Sequence, residues 1–180
     1  MPKTDLRARG SRPGERASAT AIRPAGWADI PALAVVLGAA EEYFTGRVAR
    51  QEEGLGILLT AWSADLPVGN LYVWLEAAEE PPIRLFLPGV PLLMHAEVLP
   101  AHRNRGIGRA LIQAAEDRLA GLGYARCALA VRTDNGEAAR LYHRLGYRDW
   151  GHGTVACRAE NLLPDGSFEI ETCHVLVKPL

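Results

Sequence analysis

Cysteine is scarce in this 180-residue sequence, and no two cysteines are close together. The three are Cys127, Cys157 and Cys173. An odd number of cysteines without close spacing argues against a disulfide framework and against a zinc site. Cys157 and Cys173 could meet across a hairpin that turns near residues 165–166, yet a cytosolic protein keeps such thiols reduced. We therefore predict free thiols at this pair and no metal site.

Long apolar runs and net charge are also missing. No stretch reaches the roughly 20 apolar residues that a membrane helix needs. The formal net charge is −1, so no overall field would recruit nucleic acid or an anionic membrane. The first 19 residues are basic, but no apolar segment follows them as it does in a secretory signal. These features predict a cytoplasmic enzyme or binding module without a nucleic-acid or membrane partner, and a disordered basic tail at residues 1–19.

The remaining residues, 20–180, are long enough for one domain with a proper core. Their apolar periodicity predicts alternating strands and helices. Asp29 is expected to cap the first helix. The predicted segments are a strand at 20–23, a helix from residue 30, strands at 56–62 and 69–75 joined by a hairpin connection at 63–68, a long loop at 76–91, a strand at 92–99, a helix at 107–122, a strand at 127–131, a helix at 135–145, and a closing hairpin at 153–160 and 168–177.

The order of these segments predicts an α/β (α+β) fold. Residues 92–131 read as strand, helix and strand, and the right-handed crossover of such a unit makes its two strands parallel. The meander before that unit should be antiparallel. We therefore expect a mixed, mostly antiparallel sheet with helices on both faces.

The most informative segment is a glycine- and arginine-rich loop between a strand end and a helix start. It reads Arg103-Asn104-Arg105-Gly106-Ile107-Gly108, with Arg109 in the helix. Glycines let several backbone N–H groups converge on one anion, and the helix start adds unpaired N–H groups and the positive end of its dipole. Neither a P-loop nor the complete dinucleotide fingerprint is present. The loop suits a pyrophosphate, with charge supplied by the arginines.

Two motifs together resemble the GNAT superfamily of acetyl-CoA-dependent N-acetyltransferases. Arg103-x-x-Gly106-x-Gly108 is similar to that family's acetyl-CoA loop. About 30 residues later, Asn135-x-x-Ala138-x-x-Leu141-Tyr142-x-x-x-Gly146-Tyr147 is similar to its second signature. Residues 22–25, followed by Asp29, resemble its usual opening. The resemblance extends over residues 20–180 and implies a single GNAT-like domain with a parallel coenzyme-binding unit.

The resemblance also implies roles for individual residues. Backbone groups of Val98 and Leu99 would bind the pantetheine arm of acetyl-CoA, and Asn135 would contact the pantetheine or the thioester end. Tyr142 would stand beside the sulfur and protonate the departing thiolate. The pyrophosphate would be held by backbone N–H groups of Arg103, Asn104, Arg105, Gly106, Ile107, Gly108 and Arg109.

The general base is less defined by the sequence. The family's amine usually attacks directly in a ternary complex, so a group must accept the ammonium proton. Glu97 and His95 are two residues apart on one strand, which places them on one face of a regular strand. Either could act, or a water could relay the proton. Cys127 falls in mid-strand and is expected in the core.

The acceptor is expected to be a primary amine of a small molecule. By resemblance, residues 41–44 line its pocket. Glu79 and Glu80 could attract a cationic amine, but the favoured interpretation is a solvated charge run. A protein N-terminus or lysine is an alternative acceptor, and a non-catalytic acyl-CoA sensor is an alternative function. A homodimer formed through the closing hairpin is possible by analogy.

Overall fold

The computed structural model describes residues 20–162 and 168–180. The predicted tail and the predicted turn at 165–166 lie outside these residues. The helices and strands are β1 (Ala21–Pro24), α1 (Ile30–Leu37), α2 (Glu41–Glu52), β2 (Gly56–Ser63), β3 (Leu66–Trp74), α3 (Pro81–Phe86), β4 (Leu92–Val98), α4 (Ile107–Gly121), β5 (Arg126–Arg132), α5 (Gly136–Arg144), β6 (Arg148–Leu162) and β7 (Phe168–Pro179).

The described strands form one mixed sheet in the order β1-β2-β3-β4-β5-β7-β6. Only β4 and β5 are parallel, and the other neighbours are antiparallel. The predicted mixed, mostly antiparallel sheet with a parallel βαβ unit is therefore confirmed. β6 forms one edge of the described sheet, and the expected pairing of this hairpin in a dimer stays a prediction.

Helices cover both faces of the sheet, as expected. The apolar stripe of α4, including Leu111, Ala115 and Leu119, packs with Leu59 and Leu71, and α5 joins the same face. The opposite face buries residues of α1 and α2, among them Leu33, Phe44 and Val48, against Leu58 and Tyr72. The alternation along β2 and β3 follows from the two-residue period of a strand.

The structure corrects three details of the sequence prediction. The segment 76–91, expected as a loop, contains α3, whose first turn begins with Pro81 and Pro82; proline fits there because the first helical N–H groups have no intrahelical acceptor. The connection between β2 and β3 is shorter than 63–68, because Leu66, Pro67 and Val68 already belong to β3.

The third correction concerns Asp29. Its side chain makes no capping bond to α1. It accepts a hydrogen bond from the Gly26 N–H at 2.8 Å and forms an ion pair with Arg23 at 2.6 Å. The Arg23 guanidinium holds the pKa of this carboxyl below its usual range. Asp29 therefore fixes the turn ahead of α1 to the end of β1.

Candidate active site

The site forms where the sheet opens between its two parallel strands. β4 and β5 are in register at only two positions, Leu92 with Ala128 and Leu93 with Leu129. Past these positions β4 carries a bulge. Two residues of β4, His95 and Ala96, oppose one residue of β3, Leu71, between the Asn70–Glu97 and Tyr72–Met94 pairs. An extra residue bends a strand and ends regular pairing, so β4 turns away from β5 and leaves a gap.

His95 stands in this bulge and has a left-handed backbone, with φ of 51°. The expectation that His95 and Glu97 share a face relied on regular alternation, which the bulge interrupts. Both residues nonetheless line the same cavity. The His95 ring is half-buried and meets the Tyr43 ring edge-on, with 6.1 Å between centroids.

One cavity, of about 660 Å³, lies between the glycine-arginine loop and α5. We name it the loop-side cavity. Of the residues predicted to bind coenzyme, Leu99 and Arg105 do not line it, and the others do: Val98, Arg103, Asn104, Gly106, Ile107, Gly108, Arg109, Asn135 and Tyr142. Most of the predicted set is therefore brought together by the fold.

The start of α4 gives the loop-side cavity its anion-binding character. Gly106 precedes the helix with φ of 80°, a conformation that glycine adopts without steric cost. The first intrahelical bond runs from Ala110 N–H to the Gly106 carbonyl at 3.0 Å. The N–H groups of residues 107–109 come earlier and have no acceptor inside the helix. Three donors at the positive end of a helix dipole therefore face this region.

Three hydrogen bonds hold the loop and the end of β4 in place. The Arg103 Nε donates to the Val98 carbonyl at 2.9 Å. Leu99 donates its N–H to the Val68 carbonyl at 2.9 Å and accepts from the His102 N–H at 2.8 Å. The backbone groups of Leu99 are thus engaged within the protein. Since successive N–H groups of a strand point to opposite sides, that of Val98 points away from β3, toward the gap.

Tyr142 and Asn135 stand at the inner end of the loop-side cavity. Asn135 caps α5, with its Oδ1 accepting from the Ala138 N–H at 3.1 Å. Tyr142 packs edge-on against Tyr147, with 5.9 Å between ring centroids. Burial raises the pKa of the Tyr142 hydroxyl above its usual value of 10.0. Within the described part of the chain this hydroxyl has no hydrogen-bond partner, so it is available to a bound molecule.

A second cavity, of about 890 Å³, opens from the same gap toward α1 and α2. We name it the helix-side cavity. Tyr43 and Phe44 line it, as the resemblance implies, while Glu42 lies in a smaller adjoining pocket. Glu80, which the sequence analysis read as solvated, also lines the helix-side cavity. The sequence favoured a solvated carboxylate over one that attracts the amine because α3, which positions Glu80, was not predicted.

Acidic groups give the helix-side cavity a different charge balance. Its carboxylates are Glu80, Glu97 and Glu171. Glu171 is neutralised by Arg132, with 2.9 Å between Arg132 Nη1 and its Oε1. Glu97 is exposed and forms no ion pair with any described residue. A cationic amine entering this cavity therefore meets an unpaired carboxylate at the gap.

Cys127 gives no sign of being a covalent nucleophile. Cys127 is fully buried, and its sulfur lies 3.3 Å from the Tyr147 hydroxyl. Burial raises the pKa of the Cys127 thiol to about 11, which suppresses the thiolate. Cys157 and Cys173 are free thiols in the wall of the helix-side cavity. The described residues contain no group of three or more side chains that could hold a metal ion.

The two cavities share five residues, namely Ala96, Glu97, Asn135, Ala138 and Tyr142. A molecule in one cavity can therefore touch a molecule in the other beside Glu97 and Tyr142. The helix start on one side and the carboxylate on the other suit two bound molecules of opposite charge that meet between the cavities.

The fold is that of known N-acetyltransferases. The ribosomal-protein-S18-alanine N-acetyltransferase of Escherichia coli matches with a TM-score of 0.64 at 20% identity, over 89% of this chain and 94% of that one. The PaiA N-acetyltransferase of Thermoplasma acidophilum, solved with coenzyme A, gives 0.63 at 16% identity, over 90% and 99%. A putative acetyltransferase of Salmonella typhimurium, solved with acetyl-CoA, gives 0.64 at 19% identity, over 91% and 95%. No curated protein sequence matches the chain.

Residues 83–147 match the model of the acetyltransferase (GNAT) family. The matched segment contains β4, the glycine-arginine loop, α4, β5 and α5, which together build the loop-side cavity. This segment of the chain is therefore similar to the GNAT family, and the fold of the chain is that of known N-acetyltransferases. No helix in the described residues is both long and apolar enough to span a membrane.

Proposed function

We propose that the protein transfers the acetyl group of acetyl-CoA to the primary amine of a small molecule, by direct attack in a ternary complex. The observation that carries the proposal is the meeting of the two cavities at Glu97 and Tyr142. A coenzyme in the loop-side cavity and an amine in the helix-side cavity would place their reacting atoms together. Such positioning alone supplies a large part of the rate enhancement.

The residues of the loop-side cavity fit an acetyl-CoA pyrophosphate. The free N–H groups of residues 107–109 would donate to its oxygens, with Arg103 and Arg109 adding charge. A Cβ at Gly106 would meet no protein atom within 4 Å, so the space beside this glycine is open to a ligand. The Val98 N–H would hold the pantetheine arm or the thioester oxygen. Acetyl-CoA supplies the activated thioester, and the chain supplies the groups that orient it.

Tyr142 is proposed as the general acid. Its raised pKa keeps the hydroxyl protonated at neutral pH. The hydroxyl would give its proton to the thiolate that leaves as the carbon–sulfur bond breaks. Asn135, fixed as the cap of α5, would contact the pantetheine next to it.

Glu97 is proposed as the group that accepts the ammonium proton, directly or through a water. The neutral amine then forms the new carbon–nitrogen bond, and the second N–H proton that the nitrogen loses replaces the proton that Tyr142 gives to the sulfur as the carbon–sulfur bond breaks. Glu97 suits this task because it lies at the junction of the cavities and is not neutralised by an ion pair with any described residue. His95, in the same cavity wall, is the alternative base.

A protein N-terminus is the second candidate acceptor. The E. coli protein with a similar fold acts on the alanine of ribosomal protein S18. The volume and mixed walls of the helix-side cavity suit a small amine, which is why we favour that class. We propose a cytoplasmic setting for the reaction, in keeping with three cysteines that are free thiols.

The test is an acceptor panel with coenzyme A release as the readout. The panel contains spermidine, phenethylamine, Nα-acetyl-lysine amide and an alanine-starting hexapeptide. Turnover of either of the first two supports the small-molecule assignment, and turnover of the hexapeptide alone replaces it with a protein N-terminus. Release of coenzyme A at the same rate without any amine would contradict amine acetylation.

A further inference from the structure

A buried asparagine in the middle of β3 lacks a partner for its side-chain oxygen. Residues 68–73 are all buried, and Asn70 is the one amide side chain in this run. Its side chain is 2% exposed, and its Oδ1 makes no hydrogen bond within the described part of the chain. A buried acceptor without a partner destabilises the folded state. Such a group needs an explanation other than stability.

The register of the sheet places Asn70 beside Glu97. The two residues are direct partners across the antiparallel β3–β4 pair, so their side chains lie on the same face with Cβ atoms about 5 Å apart. Gly69 lets the strands approach here, since a Cβ at this position would lie 2.6 Å from the Glu97 carbonyl oxygen. Both Asn70 and Glu97 line the helix-side cavity.

Thr60, the neighbour of Asn70 on β2, is a buried polar residue whose hydroxyl has hydrogen-bond partners. It is directly opposite Asn70 in the β2–β3 pair and is fully buried. Its hydroxyl donates to the Arg23 carbonyl at 3.1 Å and accepts from the Trp62 Nε1 at 2.8 Å. Thr60 is therefore satisfied where Asn70 is not, and the Tyr72 hydroxyl, two residues along β3 on the same face, is the other buried group of this strand without a partner in the described residues.

We propose that Asn70 binds the acceptor amine, with its Oδ1 accepting one N–H hydrogen bond while Glu97 accepts the proton that is lost. This inference rests on the proposed function and names a residue that would select its substrate. An ammonium group carries three N–H bonds, so two adjacent acceptors on one strand pair can hold it and leave the nitrogen lone pair free after deprotonation. The arrangement favours a primary amine over its N-methylated counterpart, which has one donor fewer.

The test compares three variants, each with the panel amine that gives the highest kcat/KM. Asn70→Leu removes the acceptor at similar volume, and Asn70→Asp keeps an acceptor oxygen in the same place. Thr60→Val is the matched control in the same layer. We expect Asn70→Leu to raise the KM for the amine about tenfold, the size of one hydrogen bond to a charged group. The KM for acetyl-CoA should stay within about twofold, since the coenzyme side is untouched.

The other readouts separate binding from a purely structural role. Asn70→Leu should melt at a higher temperature than the wild type, because it removes an unsatisfied polar group, and Thr60→Val should melt lower with both KM values unchanged. Asn70→Asp should restore the amine KM to near the wild-type value. The preference for a primary over an N-methylated amine should fall in Asn70→Leu only. An unchanged amine KM in Asn70→Leu would overturn the proposal, and so would a lower melting temperature in that variant.

A binding measurement decides the case if the panel yields no turnover. The side-chain amide resonance of Asn70 is then followed by NMR while methylammonium is added to the coenzyme A complex. Amine binding at Asn70 is supported if this resonance shifts until it saturates, while the side-chain amide resonances of residues far from Thr60 do not shift. The shift should be smaller in Glu97→Gln. No shift overturns the proposal. Loss of coenzyme A binding, by contrast, would contradict the proposed function and not this inference.

Discussion

The loop-side and helix-side cavities are built in different ways. The loop-side cavity takes its lining from two short stretches, residues 96–112 and 135–145, and its ligand-facing groups are largely backbone N–H. The helix-side cavity takes side chains from segments that span residues 37 to 173. A site made of backbone near a helix start can serve one fixed ligand group, whereas a site made of scattered side chains can be altered for each acceptor.

The two cavities also differ in charge. The titratable side chains of the loop-side cavity are mainly basic, namely His102, Arg103, Arg109 and Arg144 against Glu97 and Glu137. In the helix-side cavity, three carboxylates face Arg132 and Arg158, and Arg132 is already paired with Asp134 and Glu171. The loop-side cavity therefore suits an anion and the helix-side cavity a cation. Acetyl-CoA and an amine require this combination.

The largest effect is expected at the junction, from Tyr142→Phe. Removing the general acid should lower kcat about 100-fold or more, with the KM for acetyl-CoA nearly unchanged. Because burial raises the pKa of Tyr142, the wild-type rate should fall only above pH 10, and that fall should be missing in the variant. Steady-state kinetics across pH measure both the loss of kcat in the variant and the fall of the wild-type rate at high pH.

Tyr147→Phe is the matched control for this experiment. Tyr147 is also buried, but its hydroxyl donates to Glu116 at 2.9 Å inside the core. Its loss should lower the melting temperature and leave kcat within a few-fold. Unchanged turnover in Tyr142→Phe would remove Tyr142 as the acid and leave the junction without one.

A similar but smaller loss is expected for Glu97→Gln, about 30- to 100-fold in kcat near neutral pH. Only amine that is already neutral in solution would then react, so the rate of the variant should keep rising with pH. Glu80→Gln removes another carboxylate of the same cavity and should change the amine KM with little effect on kcat. An identical pH–rate profile in wild type and Glu97→Gln would transfer the role to His95 or to water.

Gly106→Val tests the loop side alone. A valine at φ of 80° is strained, and its side chain would enter the open space beside the loop. Affinity for acetyl-CoA should fall about tenfold or more, measured by calorimetry. Gly54→Val is the control, because Gly54 has a similar φ of 76° with no atom within 4 Å of its Cβ and lines neither cavity. Equal affinities in the two variants would contradict the loop assignment.

The last expected effect is on the free energy of unfolding and not on catalysis, and it arises below the cavities, in the core under α4. Burial raises the pKa of Cys127 from 9.0 to about 11, so the folded state keeps the proton that the unfolded chain loses. This contribution to stability is complete below pH 9 and is lost as the pH rises toward 11, by about 3 kcal/mol for a shift of two units. Urea unfolding of wild type and Cys127→Ala between pH 8 and 11 should show a flatter decline in the variant. Parallel declines would mean that Cys127 does not carry this dependence.

The contrast between the cavities explains what the sequence could predict. The loop and the α5 motif are each contiguous, so their residues could be recognised and most were found to line one cavity. The bulge at His95 could not be foreseen, because it depends on the pairing of β4 with β3 and leaves no local signal. Asn70 was missed for the same reason, since only the assembled sheet brings it to the gap, and the solvated interpretation was favoured for Glu80 because α3 was not predicted.

The central claim is that the loop-side cavity binds acetyl-CoA, and calorimetric titration of the full-length protein tests it most directly. NAD, which carries a pyrophosphate, and ATP, which carries a triphosphate, serve as controls because neither has a pantetheine arm. The account predicts saturable binding of acetyl-CoA at one site per chain and no comparable binding of NAD or ATP. Absence of acetyl-CoA binding, or equal binding of all three, would contradict it.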